Sequence, residues 1–272
     1  MTPLLEQPYF PPLLRGHAVL DPAGAGAAAH DAVRSGSAGA GDLFWLDDVE
    51  TMEVALVLEP EVSARKARQM GPLAMVALAD GLGTLLPPKV AIQFRWPHNV
   101  LLNGGDAGTV TLSIADHDAD GRALDALASA PAPSPANGAR VPAPADGVPA
   151  PAWLIITTRL ALSFGADAPE PGERGHVTCL SEEGGEALNR TQVIEAYAAH
   201  LLNAITHWQD DGFRALHDRW LFRAVNASAP SELRASSGDV VEGLAKGLDD
   251  EANLLLASDD GQVKLLRYED FV

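Results

Sequence analysis

The chain has 272 residues, a formal net charge of −18 and an apolar fraction of 47%. This length is sufficient for one large domain and a small one with a substantial hydrophobic core. Because binding to nucleic acid relies on Lys and Arg side chains that neutralise phosphates, so acidic a chain argues against a nucleic-acid partner. The single cysteine, Cys179, excludes an intrachain disulfide and a multi-cysteine metal site, and its apolar flanks indicate a buried thiol.

The N-terminal segment 1–20 is rich in proline and has no basic region ahead of an apolar core. This composition argues against a secretory signal. No apolar run in the sequence approaches the length of a membrane span. We therefore expect a cytoplasmic protein without a membrane partner, and the sequence leaves its oligomeric state open.

The first part of the chain predicts alternating strands and helices. Apolar runs bounded by turn residues predict strands at 15–20, 43–46, 54–58, 90–94, 100–102 and 109–114. Helices are predicted at 23–33, which is rich in alanine, and at 70–86, where apolar residues recur on one face. The sequence Asn103-Gly104-Gly105-Asp106 between the last two strands is typical of a tight hairpin turn.

The second part begins with a segment, 116–151, that is rich in Ala, Pro, Asp and Gly. Such a segment buries too little apolar surface to order itself, so we expect a flexible insertion. A strand pattern resumes immediately afterwards. Short strands with glycine turns near the C-terminus predict a small β-barrel. We predict two domains, 1–225 and 226–272, with a strand at 153–158 and helices at 191–208 and 213–224 in the first.

The order of these features resembles that of biotin/lipoate protein ligases. Biotin protein ligases carry Lys-Trp-Pro-Asn-Asp and then a hairpin with Lys-x-x-Gly, where this chain has Arg95-Trp96-Pro97-His98-Asn99 and Asp106-Ala107-Gly108. The strand that follows, the next pair of helices and the C-terminal β segment resemble the same enzymes, so the resemblance spans nearly the whole chain. No helix-turn-helix pattern precedes these features, so we do not expect a repressor-type member.

The resemblance implies an α+β fold, with a mixed, largely antiparallel sheet backed by helices as in class II synthetases, and a small SH3-like C-terminal domain. Members of the family use ATP to activate a carboxylate and pass the acyl group to a lysine of a carrier protein. The resemblance thus implies ATP and Mg²⁺ as cofactors, biotin or lipoate as candidate ligands, and a carrier-protein domain or a small carboxylic ligand as partner. The ligand-binding residues that it implies are Arg95, Trp96, Pro97, His98, Asn99, Asp106 and Gly108.

The positive charges that this chemistry requires are missing. Acyl-adenylate formation needs cations around the carboxylate and the triphosphate, which the family supplies from a Gly/Arg-rich loop and from the hairpin lysine. The loop position, 46–53, contains no Gly or Arg and includes Asp47, Asp48 and Glu50, and the hairpin position aligns with Asp106. Repulsion in place of attraction about 4 Å from a phosphate changes the interaction energy by on the order of 8 kcal/mol at a dielectric near 20. No catalytic residue is assigned.

Two interpretations of the motif follow. In the first, Trp96 and Pro97 pack in the core while His98 and Asn99 face water. In the second, a pocket persists beneath the hairpin with its charge preference reversed, towards a cation, an amine or a metal-bridged anion. For the whole chain, we expect a ligase-like protein with altered or weakened activity, and the alternative is a non-catalytic binding module with the ligase fold.

The sequence predicts no metal site. The spacing of His98, His117 and His176 matches no known ligand pattern. The segment 116–121 superficially resembles a calcium loop but lacks the acidic residue at its end. The acidic loop formed by Asp47, Asp48 and Glu50 is either a divalent-cation site or a solvated turn.

Overall fold

A computed structural model describes residues 6–115, 149–165, 168–170, 173–227, 229–258 and 260–271. The predicted insertion at 116–151 falls almost entirely outside the described residues. Within the described part, a large sheet carries helices on both faces, and a second, smaller sheet follows at the C-terminal end.

The large sheet contains seven strands, and their bounds follow the apolar runs of the sequence. They are β1 (Arg15–Val19), β2 (Asp42–Leu46), β3 (Thr51–Leu58), β4 (Ile92–Arg95), β5 (Asn99–Leu102), β6 (Gly105–Ile114) and β7 (Leu154–Ala161). Their order is β1-β2-β3-β7-β6-β5-β4. The pair β1–β2 is parallel, and every other neighbouring pair is antiparallel. The prediction of a mixed, largely antiparallel sheet is confirmed.

Helices cover the two faces of this sheet unequally. They are α1 (Gly24–Arg34), α2 (Ala64–Ala67), α3 (Met70–Leu85), α4 (Arg190–Asp211) and α5 (Arg214–Arg223). On one face α1 packs Ala25 and Ala29 against apolar side chains of β2, β3 and β7. The opposite face is covered by α3, α4 and α5 around the main hydrophobic core. Among the described residues, no helix combines the length and the apolar character needed to cross a membrane.

The C-terminal sheet is antiparallel, with the order β11-β10-β9-β8. Its strands are β8 (Ser231–Arg234), β9 (Val240–Leu248), β10 (Leu254–Ala257) and β11 (Val263–Leu266). This sheet agrees with the small C-terminal β domain expected from the sequence, while its SH3-like character and the boundary at 225/226 stay predictions. Buried side chains of this sheet, including Leu233 and Leu254, belong to the same hydrophobic core as α3 and α4.

Trp96 lies at the seam between the two sheets. Its side chain is buried, and its indole Nε1 donates a hydrogen bond to the carbonyl of Ala252 at 3.1 Å. The centroid of its ring is 4.9 Å from that of Phe271. A second link comes from Gln69, whose side-chain Nε2 donates to the carbonyl of Asp250 at 2.6 Å. Trp96 therefore packs in the core, and the turn that follows β4 is fixed by the C-terminal sheet.

We expect Trp96→Phe to lower the free energy of unfolding by about 1 kcal/mol more than Trp220→Phe does. Both substitutions remove a similar volume from a buried indole, but only Trp96 donates a hydrogen bond, since the Nε1 of Trp220 has no partner among the described residues. Urea unfolding followed by circular dichroism measures both losses. Equal losses in the two variants would contradict the proposed contribution of the seam hydrogen bond.

Candidate functional site

A row of polar side chains crosses four neighbouring strands of the large sheet. Asn99 of β5 pairs with Thr109 of β6, Thr109 pairs with Arg159 of β7, and Arg159 pairs with Glu53 of β3. Directly paired residues project to the same face of a sheet, so these four side chains lie side by side. The carboxylate of Glu53 accepts the backbone N–H of Gly26 at 3.1 Å. The row therefore lies on the face that carries α1.

A cavity of about 530 Å³ includes most of this row in its walls. Its other walls come from the acidic loop, from the β5–β6 hairpin and from the segment that follows β7. The charged, polar and larger apolar residues that line it are Glu50, Thr51, Asn99, Asp106, Thr109, Arg159, Ser163, Phe164, Val177 and Thr178. A cavity of this volume is large enough for a small organic ligand.

The structure brings part of the predicted site together in this cavity. Asn99, Asp106 and Gly108 line it, and Glu50 lines it from the acidic loop. Trp96, Pro97 and His98 lie outside the lining that the described residues form, and Trp96 and Pro97 are buried. A ligand-binding role for any of these residues stays a prediction.

Asp106 is paired with Arg95 at the rim of the cavity. The Nη1 of Arg95 donates to the Oδ1 of Asp106 at 2.6 Å, and the two side chains are 32% and 36% exposed. The negative charge of Asp106, the residue expected at the position of the family's lysine, is therefore compensated by a neighbour. By the same pairing, the guanidinium of Arg95 is engaged and does not offer an unpaired charge to a phosphate.

The three carboxylates of the acidic loop have different surroundings. Asp47 forms an ion pair with the buried Arg190. The Oδ1 of Asp48 accepts the backbone N–H groups of Glu50 at 2.7 Å and of Thr51 at 2.9 Å, which closes the turn before β3. The side chain of Glu50 is exposed and lines the cavity. Of these three carboxylates, Glu50 is the one that a ligand in the cavity would meet.

Arg159 is a site residue that the sequence analysis missed. It is the one Lys or Arg among the described lining residues, and no described carboxylate lies within ion-pair distance of it. Its cross-strand neighbour Glu53 is bound to the backbone of Gly26 instead. The available signal was a single charged residue within the apolar strand 154–161. That signal identifies neither the strands beside β7 nor the face on which the side chain lies.

Several described residues that follow β7 are held beside the cavity. The guanidinium carbon of Arg174 lies 4.1 Å from the ring centroid of Phe164. Further along, the backbone N–H of Asp106 donates to the carbonyl of His176 at 2.6 Å, and that of Thr178 donates to the carbonyl of Asp106 at 3.0 Å. These bonds attach residues 176–178 to the start of β6, and Phe164 and Val177 supply larger apolar side chains to the cavity lining.

The packing of β6 against β7 explains why residue 108 is glycine, without a role in ligand binding. A Cβ atom at this position would lie 2.2 Å from the carbonyl oxygen of Arg159 on the neighbouring strand. The absence of a side chain therefore lets β6 approach β7 closely, and this approach places Thr109 beside Arg159.

No group of three or more His, Cys, Asp or Glu side chains that could hold a metal ion occurs in the described ranges. His117 and the calcium-like segment 116–121 lie outside those ranges.

The model of the biotin/lipoate A/B protein ligase family matches residues 10–125 and 136–222. The chain belongs to this family. A relative in Paracoccus denitrificans, a biotin–(acetyl-CoA-carboxylase) ligase, is 27% identical over 222 residues, which are 80% of this chain and 78% of that protein. The bifunctional ligase/repressor BirA of Bacillus subtilis is 24% identical over 214 residues, and the chain spans 55% of its length.

Solved structures of ligase-like proteins have the same fold. A biotin protein ligase-like protein of unknown function from Silicibacter sp. TM1040 aligns with a TM-score of 0.75 and 24% identity, over 98% of this chain and 100% of that chain. The biotin protein ligase of Aquifex aeolicus in complex with biotin and ATP aligns with a TM-score of 0.64 and 11% identity, over 95% of this chain and 96% of that chain. At these identities the alignments establish the fold alone.

In this member of the ligase family, the cavity is suited to a carboxylate and poorly suited to a triphosphate. A triphosphate brings several negative charges that cations or helix N-termini must meet. The described lining offers Arg159, while Arg95 is paired and Glu50 is itself negative. The N-terminal end of α1, a possible anion site, already binds Glu53. The described residues therefore fit a triphosphate less well than a carboxylate.

His98 is the residue expected at the family's Asn position, and it precedes the cavity residue Asn99. The Nδ1 atom of His98 is buried without a hydrogen-bond partner among the described residues. Burial lowers the pKa of this imidazole below its ordinary value. The folded protein therefore favours the neutral ring, whereas the unfolded chain accepts a proton more readily.

We expect the free energy of unfolding to fall as the pH is lowered from about 7 to about 5, because the unfolded state then binds the extra proton of His98. In His98→Asn this contribution is absent, so its stability should fall less over the same range. Urea unfolding at several pH values measures the difference between the two proteins. Parallel pH dependences would contradict a neutral His98 ring with a buried Nδ1.

Proposed function

We propose that this chain binds a small carboxylic acid in the cavity and retains a weakened form of the family's reaction, ATP-dependent activation and transfer of that acid. The supporting observation is the distribution of charge around the cavity. Arg159 is available to a carboxylate, whereas Arg95 is held by Asp106. One free cation is enough to bind a carboxylate but stabilises a reacting triphosphate only weakly, so the proposed reaction is slow.

The proposed acceptor is a carrier-protein domain in the cytoplasm, and ATP with Mg²⁺ would be the co-substrate. Family membership and the name of the Paracoccus denitrificans relative support this proposal. In this chain the residues that would act on the acid are Arg159, as its ionic partner, and Asn99 and Thr109, as hydrogen-bonding groups on the same floor.

A second candidate function is a non-catalytic binding module that keeps the ligase fold. The observation that favours it concerns two groups that would otherwise attract phosphate, the backbone N–H at the start of α1 and the guanidinium of Arg95. Both are already bound by carboxylates of the chain. Glu53 binds the backbone at the start of α1, and Asp106 binds Arg95. In this candidate the protein recognises the acid, or a carrier that bears it, without activating it.

Isothermal titration calorimetry with biotin, lipoate, octanoate and ATP tests the proposal, together with an assay for pyrophosphate release. We expect one of the acids to bind and Arg159→Gln to weaken that binding about tenfold, because a charge-assisted hydrogen bond is lost. Slow pyrophosphate release with the bound acid would support the weakened ligase, and its absence would favour the binding module. If none of the acids binds, the proposed function and an acid-binding module are both wrong, and only recognition of a carrier protein is left.

Asp106→Asn tests the effect of the rim ion pair on nucleotide binding. The substitution keeps the size of the side chain but releases the guanidinium of Arg95, so we expect affinity for ATP to rise about fivefold, or roughly 1 kcal/mol. Asp210→Asn is the matched control, since Asp210 is exposed and lies outside the cavity lining. Titration of ATP into each variant gives the affinities, and equal values would show that Arg95 does not contact nucleotide.

A further inference from the structure

The cavity presents one unpaired positive group on its floor. Arg159 reaches it from the middle of the polar row, between Thr109 and Glu53. The carboxylate of Glu53 would be the obvious partner for this guanidinium, but it accepts the N–H of Gly26 and lies outside ion-pair distance. Because Arg159 has no carboxylate partner among the described residues, an anionic group of a ligand can pair with its guanidinium.

The same cavity presents one unpaired negative group at its rim. Glu50 is exposed, lines the cavity, and makes no ion pair with any described cation. One of its carboxylate oxygens would lie 3.1 Å from a Cβ placed on Gly165, so the side chain extends towards the segment after β7. The other carboxylate of the lining, Asp106, is compensated by Arg95. A cationic group of a ligand would therefore meet Glu50 first.

The two unpaired groups are separated along the strands. The backbone carbonyl of Glu50 accepts the N–H of Leu162 at 2.8 Å, and Leu162 is three residues beyond Arg159 in the sequence. At about 3.3 Å per residue, the backbones of Glu50 and Arg159 are about 10 Å apart along the strand direction. Phe164 and Val177 also line the cavity, and their apolar side chains suit an aliphatic chain.

We infer that the acid bound in this cavity also carries an amine, with its carboxylate on Arg159, its ammonium group at Glu50 and a short aliphatic chain between the two. The ligand class is an amino acid whose charges lie at opposite ends, rather than a simple fatty acid. This inference rests on the proposed function, because it names the substrate class of the same cavity. The reaction itself is unchanged, since the carboxylate remains the group to be activated.

Two matched probes test the inference on the full chain by calorimetry. Hexanoate and 6-aminohexanoate share one carbon chain and differ in the terminal ammonium. We expect 6-aminohexanoate to bind about tenfold more tightly, because charge-assisted contacts at both ends are then satisfied. Glu50→Gln should remove this preference by weakening 6-aminohexanoate alone, and Arg159→Gln should weaken both probes. Glu186→Gln, an exposed carboxylate outside the lining, is the matched control.

The outcomes separate this inference from the function on which it rests. Equal affinity for the two probes, or a preference that survives Glu50→Gln, overturns the inference. If hexanoate or biotin then still binds in an Arg159-dependent way, the carboxylic-acid site of the proposed function stands. If no acid binds at all, both are wrong. Circular dichroism of each variant confirms that the substituted protein is folded.

Discussion

The double pairing of β7 is the constraint on which the rest of the structure depends. This strand pairs along its length with β3 on one side and with β6 on the other. A slip of one residue would turn every side chain of β7 to the opposite face. It would bury Arg159 among the apolar helices and expose Leu160 to the cavity. The register of one central strand therefore determines both the hydrophobic core and the floor of the site.

Internal pairing decides which of the charges near the cavity are available to a ligand. Arg95 and Asp106 compensate each other at the rim, and Glu53 is bound to the backbone of α1. Arg159 and Glu50 remain without described partners. A count of the charged residues in the lining would predict an acidic site that repels anions. Once the internal ion pair is taken into account, one positive group and one negative group remain available to a ligand.

Features that depend on local sequence were predictable, and features that depend on register were not. The hairpin at Asn103–Gly104 and the helix ended by Pro87 follow from backbone preferences over a few residues, and both occur where expected. The ion pair of Arg95 with Asp106 depends on how β4, β5 and β6 align. The position of Arg159 depends on β3 and β6, whose paired residues Glu53 and Thr109 precede it by 106 and 50 residues in the sequence. No pattern within β7 itself contains that information.

The placement of Trp96 has a consequence for how such motifs are interpreted. Its indole joins the turn after β4 to the C-terminal sheet, so folding alone gives a reason to retain it. A lineage can then exchange the charges beside this turn while the turn itself persists under a separate selective pressure. In such a lineage, the Trp-Pro pair indicates common descent and a shared fold. The chemistry is indicated by the side chains that neighbouring strands place in the cavity lining.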